Sequence, residues 1–131
     1  MNAGIFISHI AEDKFAGLAI KDLLRDVFGN EQDVFVSSDY DSIRSGADWH
    51  GAILEALGRS GVVLVLCHEG SVNRAWVNYE AGAGDGQGSL VVPCVMRHFS
   101  KGSLKPPISR KQARDLADLN DLKALLREAI S

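Results

Sequence analysis

Basic excess is missing from this 131-residue chain: 14 lysines and arginines against 17 aspartates and glutamates give a formal charge of -3. That balance leaves no basic stripe for a nucleic-acid backbone, so no nucleic-acid partner is expected. Cysteine is scarce too. Cys67 and Cys94 are the only two, each inside an apolar run, and they read as buried thiols in a reducing compartment rather than as a disulfide framework. No apolar run approaches the roughly 18 residues that span a bilayer, and Met1 to Gly4 lead straight into a strand with no signal segment. The sequence-based expectation is a cytoplasmic protein without a membrane partner.

Several catalytic signatures are also absent. There is no Walker A sequence and no G-x-S-x-G elbow, and Cys67 with His68 beside it sits at the end of a core strand. His9, His50, His68 and His98 lack metal-ligand spacing, so no metal is expected. The glycine tract Gly82 to Gly88 runs G-x-G-x-G-x-G after a helix and before a strand, the reverse of a dinucleotide fingerprint. It reads as a helix terminator.

What the chain does contain is alternation. With 46% hydrophobic and 24% charged residues it is sized for one globular domain, residues 1–131, with a real core. Gly4 to His9, Asp33 to Ser37, Val62 to Cys67 and Leu90 to Met96 are short apolar runs of strand character, with a short fifth strand near Ala113 to Leu116. The internal Pro93 suits a sheet margin better than a centre. Between the strands, apolar residues recur at helical spacing over Glu12 to Phe28, through Trp49, Ile53 and Leu57, around Trp76, and over Asn120 to Ile130, where Leu122, Leu125, Leu126 and Ala129 form the inward face. Ser45 with Asp48 gives a capping-box-like start to the second helix, and Ser71 or Asn73 is the expected cap of the third. Strands and helices alternating at this pitch imply a doubly wound parallel α/β sheet with helices on both faces.

In such sheets ligands bind beyond the carboxyl ends of the strands, where the winding reverses. With the first strand inside the sheet, that crevice is lined by Ser8 to Glu12, by the loop from Ser37, and by His68 to Glu80. The connection Ser37 to Gly46 is ten residues, polar, and longer than the roughly 2 to 6 usual for a strand-to-helix loop, which suits a binding loop. Glu80 is the acid that packing does not explain. It lies one turn beyond Trp76, and its helical neighbours Trp76, Val77, Ala83 and Gly84 include no cation to pair with it.

Phe6-Ile7-Ser8-His9 with Glu12-Asp13, then Val34 to Ser37, then Ile43 with Gly46 and Trp49, and finally Trp76-x-x-x-Glu80 resemble the Toll/interleukin-1 receptor (TIR) domain family, with Ala56-Leu57 and Ser60 before the third strand pointing to its bacterial branch. The resemblance runs over essentially the whole chain. It implies a flavodoxin-like, doubly wound, five-stranded parallel sheet with helices on both faces, in agreement with the pattern of the residues. The chain stops one residue after its last helix, which suggests a TIR segment of a longer protein carrying a sensor domain.

Two activities are implied by the resemblance. One is cleavage of NAD⁺ at the nicotinamide–ribose bond in bacterial antiviral signalling, giving nicotinamide with ADP-ribose or a cyclic isomer and switched on by self-association; the other is non-catalytic docking between TIR domains. A third reading is recognition of a nucleotide second messenger. Catalytic members carry a glutamate where this chain has Glu80, so Glu80 is the candidate catalytic residue, with NAD⁺ a substrate and no separate cofactor. The matching substrate-contact positions are Phe6, Ser8, His9 and Ile10 at the first strand end, Ser38, Asp39, Arg44 and Trp49 around the long loop, and Trp76 beneath the acid. A basic residue common at the start of the first helix is replaced here by Glu12 and Asp13, leaving Lys14 and Arg44 as candidates for phosphate contacts.

Overall fold

The computed structural model describes residues 4–37, 49–106 and 108–130, including side chains except those of Trp49, His50, Ala129 and Ile130. β1 (Gly4–Ser8) is followed by a 3-10 turn (Ala11–Asp13), α1 (Lys14–Phe28), β2 (Val34–Val36), α2 (Trp49–Gly58), β3 (Ser60–Cys67), α3 (Ala75–Gly86), β4 (Leu90–Val95), β5 (Arg114–Asp115) and α4 (Leu119–Ile130). The five strands form one parallel sheet in the order β2-β1-β3-β4-β5. Winding runs outward from β1 in one direction and from β3 in the other, so the reversal lies between β1 and β3.

The unbroken apolar strands follow from burial on both faces. Along β3, Val63, Val65 and Cys67 join Phe6, Ile53, Leu57, Val77 and Ala81 on the α2/α3 side. Val62, Leu64 and Leu66 join Ile5, Ile7, Leu24, Val36 and Leu125 on the α1/α4 side. The strand period of two sends successive side chains to opposite layers, so every position must be apolar. A fully buried leucine such as Leu24 contributes roughly 2 kcal/mol through area removed from water. Cys67 and Cys94 are free and buried in different layers, and burial pushes the Cys67 thiol up to about 12 and Cys94 higher still. Neither is a reactive thiolate.

Three local expectations need correction. The glycine tract does not stop α3, which continues to Gly86. Gly84 lets the helix lie close on β3, because a Cβ there would sit 2.8 Å from Val63 Cγ2. The chain turns instead at Gly88, whose φ of 87° is a left-handed conformation that glycine adopts without strain. The cap of α3 is Arg74, with no side-chain cap bond; Ser71 Oγ is committed to the Leu66 carbonyl, and Asn78 Nδ2 reaches the Val72 and Arg74 carbonyls. β3 begins two residues earlier than its apolar run, at Ser60, whose hydroxyl donates to the Ala56 carbonyl while the residue pairs with Gly4.

The margin expected at Pro93 has a specific form. β5 pairs only with Cys94 and Val95, so Pro93 lies where β4 has β3 as its ladder partner and β5 has not begun. The start of α2 at Ser45 and Asp48, and Ala129 on α4, fall outside the described residues or side chains. Among the described residues no helix is long and apolar enough to cross a membrane.

Candidate functional site

Glu80 faces the sheet. The buried side of α3 is Val77, Glu80, Ala81 and Gly84, a helical stripe in which one carboxylate takes a position suited to an apolar residue. Glu80 is 0% exposed, so neither a solvated rim position nor a surface ion pair accounts for it. Ser8, the last residue of β1, donates its hydroxyl to Glu80 Oε1 at 2.7 Å. Oε2 is buried and has no hydrogen-bond partner among the described residues.

Burial without full satisfaction raises the cost of charge. Desolvation pushes the Glu80 carboxyl from an ordinary 4.5 up to about 7, outweighing the Ser8 hydroxyl and the Trp76 indole, which both act the other way. A carboxyl poised near neutrality, with one oxygen anchored and the other unsatisfied, is suited to receive a positive charge.

Beside the acid, at the point where the winding reverses, a crevice of about 320 Å³ runs between His9, Ile10, Ala11 and Glu12 on one wall and Arg74 to Val77 on the other. Glu80 lies one helical turn behind Trp76 and is not itself part of that wall. A larger cavity of about 470 Å³, lined by Val72, Asn78, Phe99, Leu104 and Ile108, lies between α3 and the segment after β4. The smaller crevice is the candidate site, because its walls are the segment that follows Ser8 and the turn of α3 that carries Trp76 just before Glu80.

The residues singled out in the sequence separate into groups. Ser8, His9, Ile10, Trp76 and Glu80 are brought together at the β1 and β3 ends. Phe6 is fully buried in the α2/α3 layer and stacks on Phe35 with ring centroids 5.5 Å apart. Trp76 is half-buried, forms part of the crevice wall and stacks on Tyr79 at 5.3 Å. Ser38, Asp39 and Arg44 lie outside the described residues, as does the side chain of Trp49 at the start of α2. His9 is buried, and burial lowers its pKa; its main-chain N–H donates to Ser37 Oγ, and its Nε2 has no partner among the described residues. Gly17 of α1 packs on the same ring, where a Cβ would stand 3.2 Å from Nε2.

Four further residues act at the site in ways that their sequence context did not point to. Arg74 borders the crevice and pairs with Glu12 across its mouth at 3.4 Å. Asp13, His68 and Arg97 meet behind the wall formed by residues 9–12. Asp13, an acid at the start of α1, is 0% exposed, makes no cap bond, and holds His68 Nε2 at 2.7 Å and an Arg97 guanidinium nitrogen at 2.9 Å.

A search of curated proteins returns no match for the chain. The family profile described as TIR domain matches residues 5–129.

Proposed function

The chain belongs to the TIR domain family, and from that premise we propose that it cleaves NAD⁺ at the nicotinamide–ribose bond, with Glu80 as the residue that stabilises the departing ribosyl cation. The observation that carries the reading is the buried Glu80 carboxyl, anchored by Ser8 through one oxygen and without a hydrogen-bond partner among the described residues at the other, beside the crevice at the sheet's winding reversal.

The chemistry asks for little more. Nicotinamide leaves NAD⁺ as a neutral base from a pyridinium, so no general acid is needed to protonate the leaving group. As the C–N bond lengthens, positive charge spreads over the ribose ring, and a carboxylate held in a water-poor site stabilises that charge more than it does the ground state. Approach of the cationic pyridinium also favours the ionised form of a group that sits near 7 when the site is empty. Ser8 holds Oε1, and Oε2, which has no partner among the described residues, is the oxygen that would take up the ribose hydroxyls or the charge at C1′ as substrate enters. Trp76 excludes water from the acid and offers an aromatic face to the nicotinamide ring. Water capture gives ADP-ribose, whereas internal attack by the adenine ring or a hydroxyl gives a cyclic isomer.

Family membership also brings association between TIR domains. Self-assembly would both activate the enzyme and serve the adaptor reading, in which docking is the whole function. Phe15, 83% exposed on the first turn of α1, is the observation that favours a contact surface on that helix. Incubation of artificially clustered protein with NAD⁺, with products identified by mass spectrometry, separates the two readings. Nicotinamide with linear or cyclic ADP-ribose, lost in Glu80→Ala, is expected; no turnover by clustered protein that still assembles would establish the adaptor instead.

A further inference from the structure

Asp13, His68 and Arg97 come from three different strand ends: after β1, at the end of β3, and after β4. Their meeting point is a carboxylate with no exposed surface. The hydrogen bonds of His68 assign its tautomer. Gly70 N–H donates to Nδ1 at 3.0 Å, so the ring proton is on Nε2, which donates to Asp13 Oδ2 at 2.7 Å. Both ring nitrogens are committed, and Gly70 is pressed so closely on the ring that a Cβ there would lie 2.9 Å from Cε1. Arg97 approaches Asp13 Oδ1 from the other side and also donates to the Glu12 carbonyl at 3.4 Å. Its backbone and that of His98 hold φ values of 54° and 62°, left-handed conformations that are strained for non-glycine residues.

This arrangement is an expensive way to fill space. A buried charged carboxylate with its partners is commonly no more stabilising than well-packed apolar side chains of similar volume. Its mechanical effect is specific. Asp13 N–H closes a turn on the Ile10 carbonyl at 2.9 Å, so the crevice wall 10–12 moves with Asp13. On the other side Ser71 N–H bonds the His68 carbonyl and Arg74 N–H bonds the Ser71 carbonyl, each at 3.0 Å, so the position of His68 is handed on to Arg74, where α3 begins.

We propose that Asp13 and His68 are positioning residues for the Glu80 site: their buried hydrogen bond clamps the loop after β1 to the loop after β3 and sets the width of the crevice that receives the nicotinamide riboside end of the substrate. The proposal rests on the NAD⁺-cleaving reading given above. Neither residue touches the reacting atoms. They act by fixing the two walls between which the pyridinium ring lies, a distance to which a reaction run by positioning is sensitive.

The test compares His68→Gln, whose amide can donate to Asp13 from nearly the place of Nε2, with His68→Leu, which cannot. In His68→Leu, KM for NAD⁺ should rise about tenfold with a smaller fall in kcat, whereas His68→Gln should stay within about threefold of wild type in both. Amide hydrogen exchange supplies a readout that does not need turnover: residues 70–76 should exchange faster in His68→Leu while the β3 amides keep their protection. An unchanged KM in His68→Leu, a His68→Gln protein as impaired as His68→Leu, or unaltered exchange at residues 70–76 would each overturn the proposal. Should His68→Leu fail to fold, Asp13→Ala takes its place as the second variant. It leaves the imidazole without an acceptor, so faster exchange at 70–76 and a raised KM are expected, and wild-type exchange with an unchanged KM would overturn the clamp. A wild-type protein that releases no nicotinamide would overturn the NAD⁺ reading instead, and the exchange comparison would then decide the clamp by itself.

Discussion

Replacing Glu80 with glutamine removes a charge while nearly preserving shape, so Glu80→Gln isolates what the carboxyl costs the fold. Burial raises the carboxyl from 4.5 to about 7, so the folded protein binds the Glu80 proton more tightly than the unfolded chain does. The sign follows: this group favours folding at low pH, and its contribution is lost as pH rises through about 7. Integrated from about pH 5 to about pH 8, the difference in proton binding amounts to about 2 to 3 kcal/mol. Glutamine does not titrate and lacks that term. It does place an amide N–H where Oε2 finds no partner, but that cost is the same at every pH and cancels when the pH dependences are compared. Urea unfolding of both proteins at the two pH values is the assay. Relative to wild type, Glu80→Gln should gain about 2 to 3 kcal/mol between about pH 5 and about pH 8, or roughly 10 °C in Tm for a chain of this size. A wild-type-minus-variant difference that stays flat across this range would refute the claim that Glu80 is desolvated in the folded protein.

Further outcomes follow from the same geometry. Because the reaction needs the ionised acid, log kcat/KM of the clustered enzyme should climb with pH below about 7 and level off above it, measured by nicotinamide release across a buffer series. Ser8→Ala removes the hydroxyl that holds the carboxyl down, so the same pH limb should move to higher pH and kcat/KM at neutrality should fall about 10- to 100-fold, the scale of a charge-assisted hydrogen bond of about 1.5 to 3 kcal/mol. Gly84→Ala puts a methyl 2.8 Å from Val63 Cγ2; overpacking of about 1 to 3 kcal/mol should outweigh the roughly 1 kcal/mol gained in helix propensity, read as a lower urea midpoint.

The alternating pattern made the sheet and its helices legible in the sequence, because strands buried on both faces must be apolar throughout and amphipathic helices must repeat at 3.6 residues. Val62 to Cys67 illustrates this: the run is visible because alternate residues feed two separate core layers. Local chemistry was a weaker guide wherever tertiary contacts set the outcome. Three glycines in α3 read as a stop, yet Gly84 serves close helix–strand approach; Ser71 reads as a cap, yet its hydroxyl is used by the Leu66 carbonyl. Within the site, Glu80 stood out because a carboxylate one turn from Trp76 had no cation in helical reach. The Asp13 to His68 contact left no such trace, since it joins residues 55 positions apart that only the parallel winding brings to the same edge.

The central claim is that Glu80 carries out glycosidic cleavage of NAD⁺, and the most direct measurement is nicotinamide release by clustered wild type and clustered Glu80→Gln at about pH 8, with both proteins shown by urea unfolding to be folded at that pH. The account predicts turnover by wild type and a loss of at least about 100-fold in the variant, which unfolding then cannot explain. Equal nicotinamide release by the two proteins would contradict it.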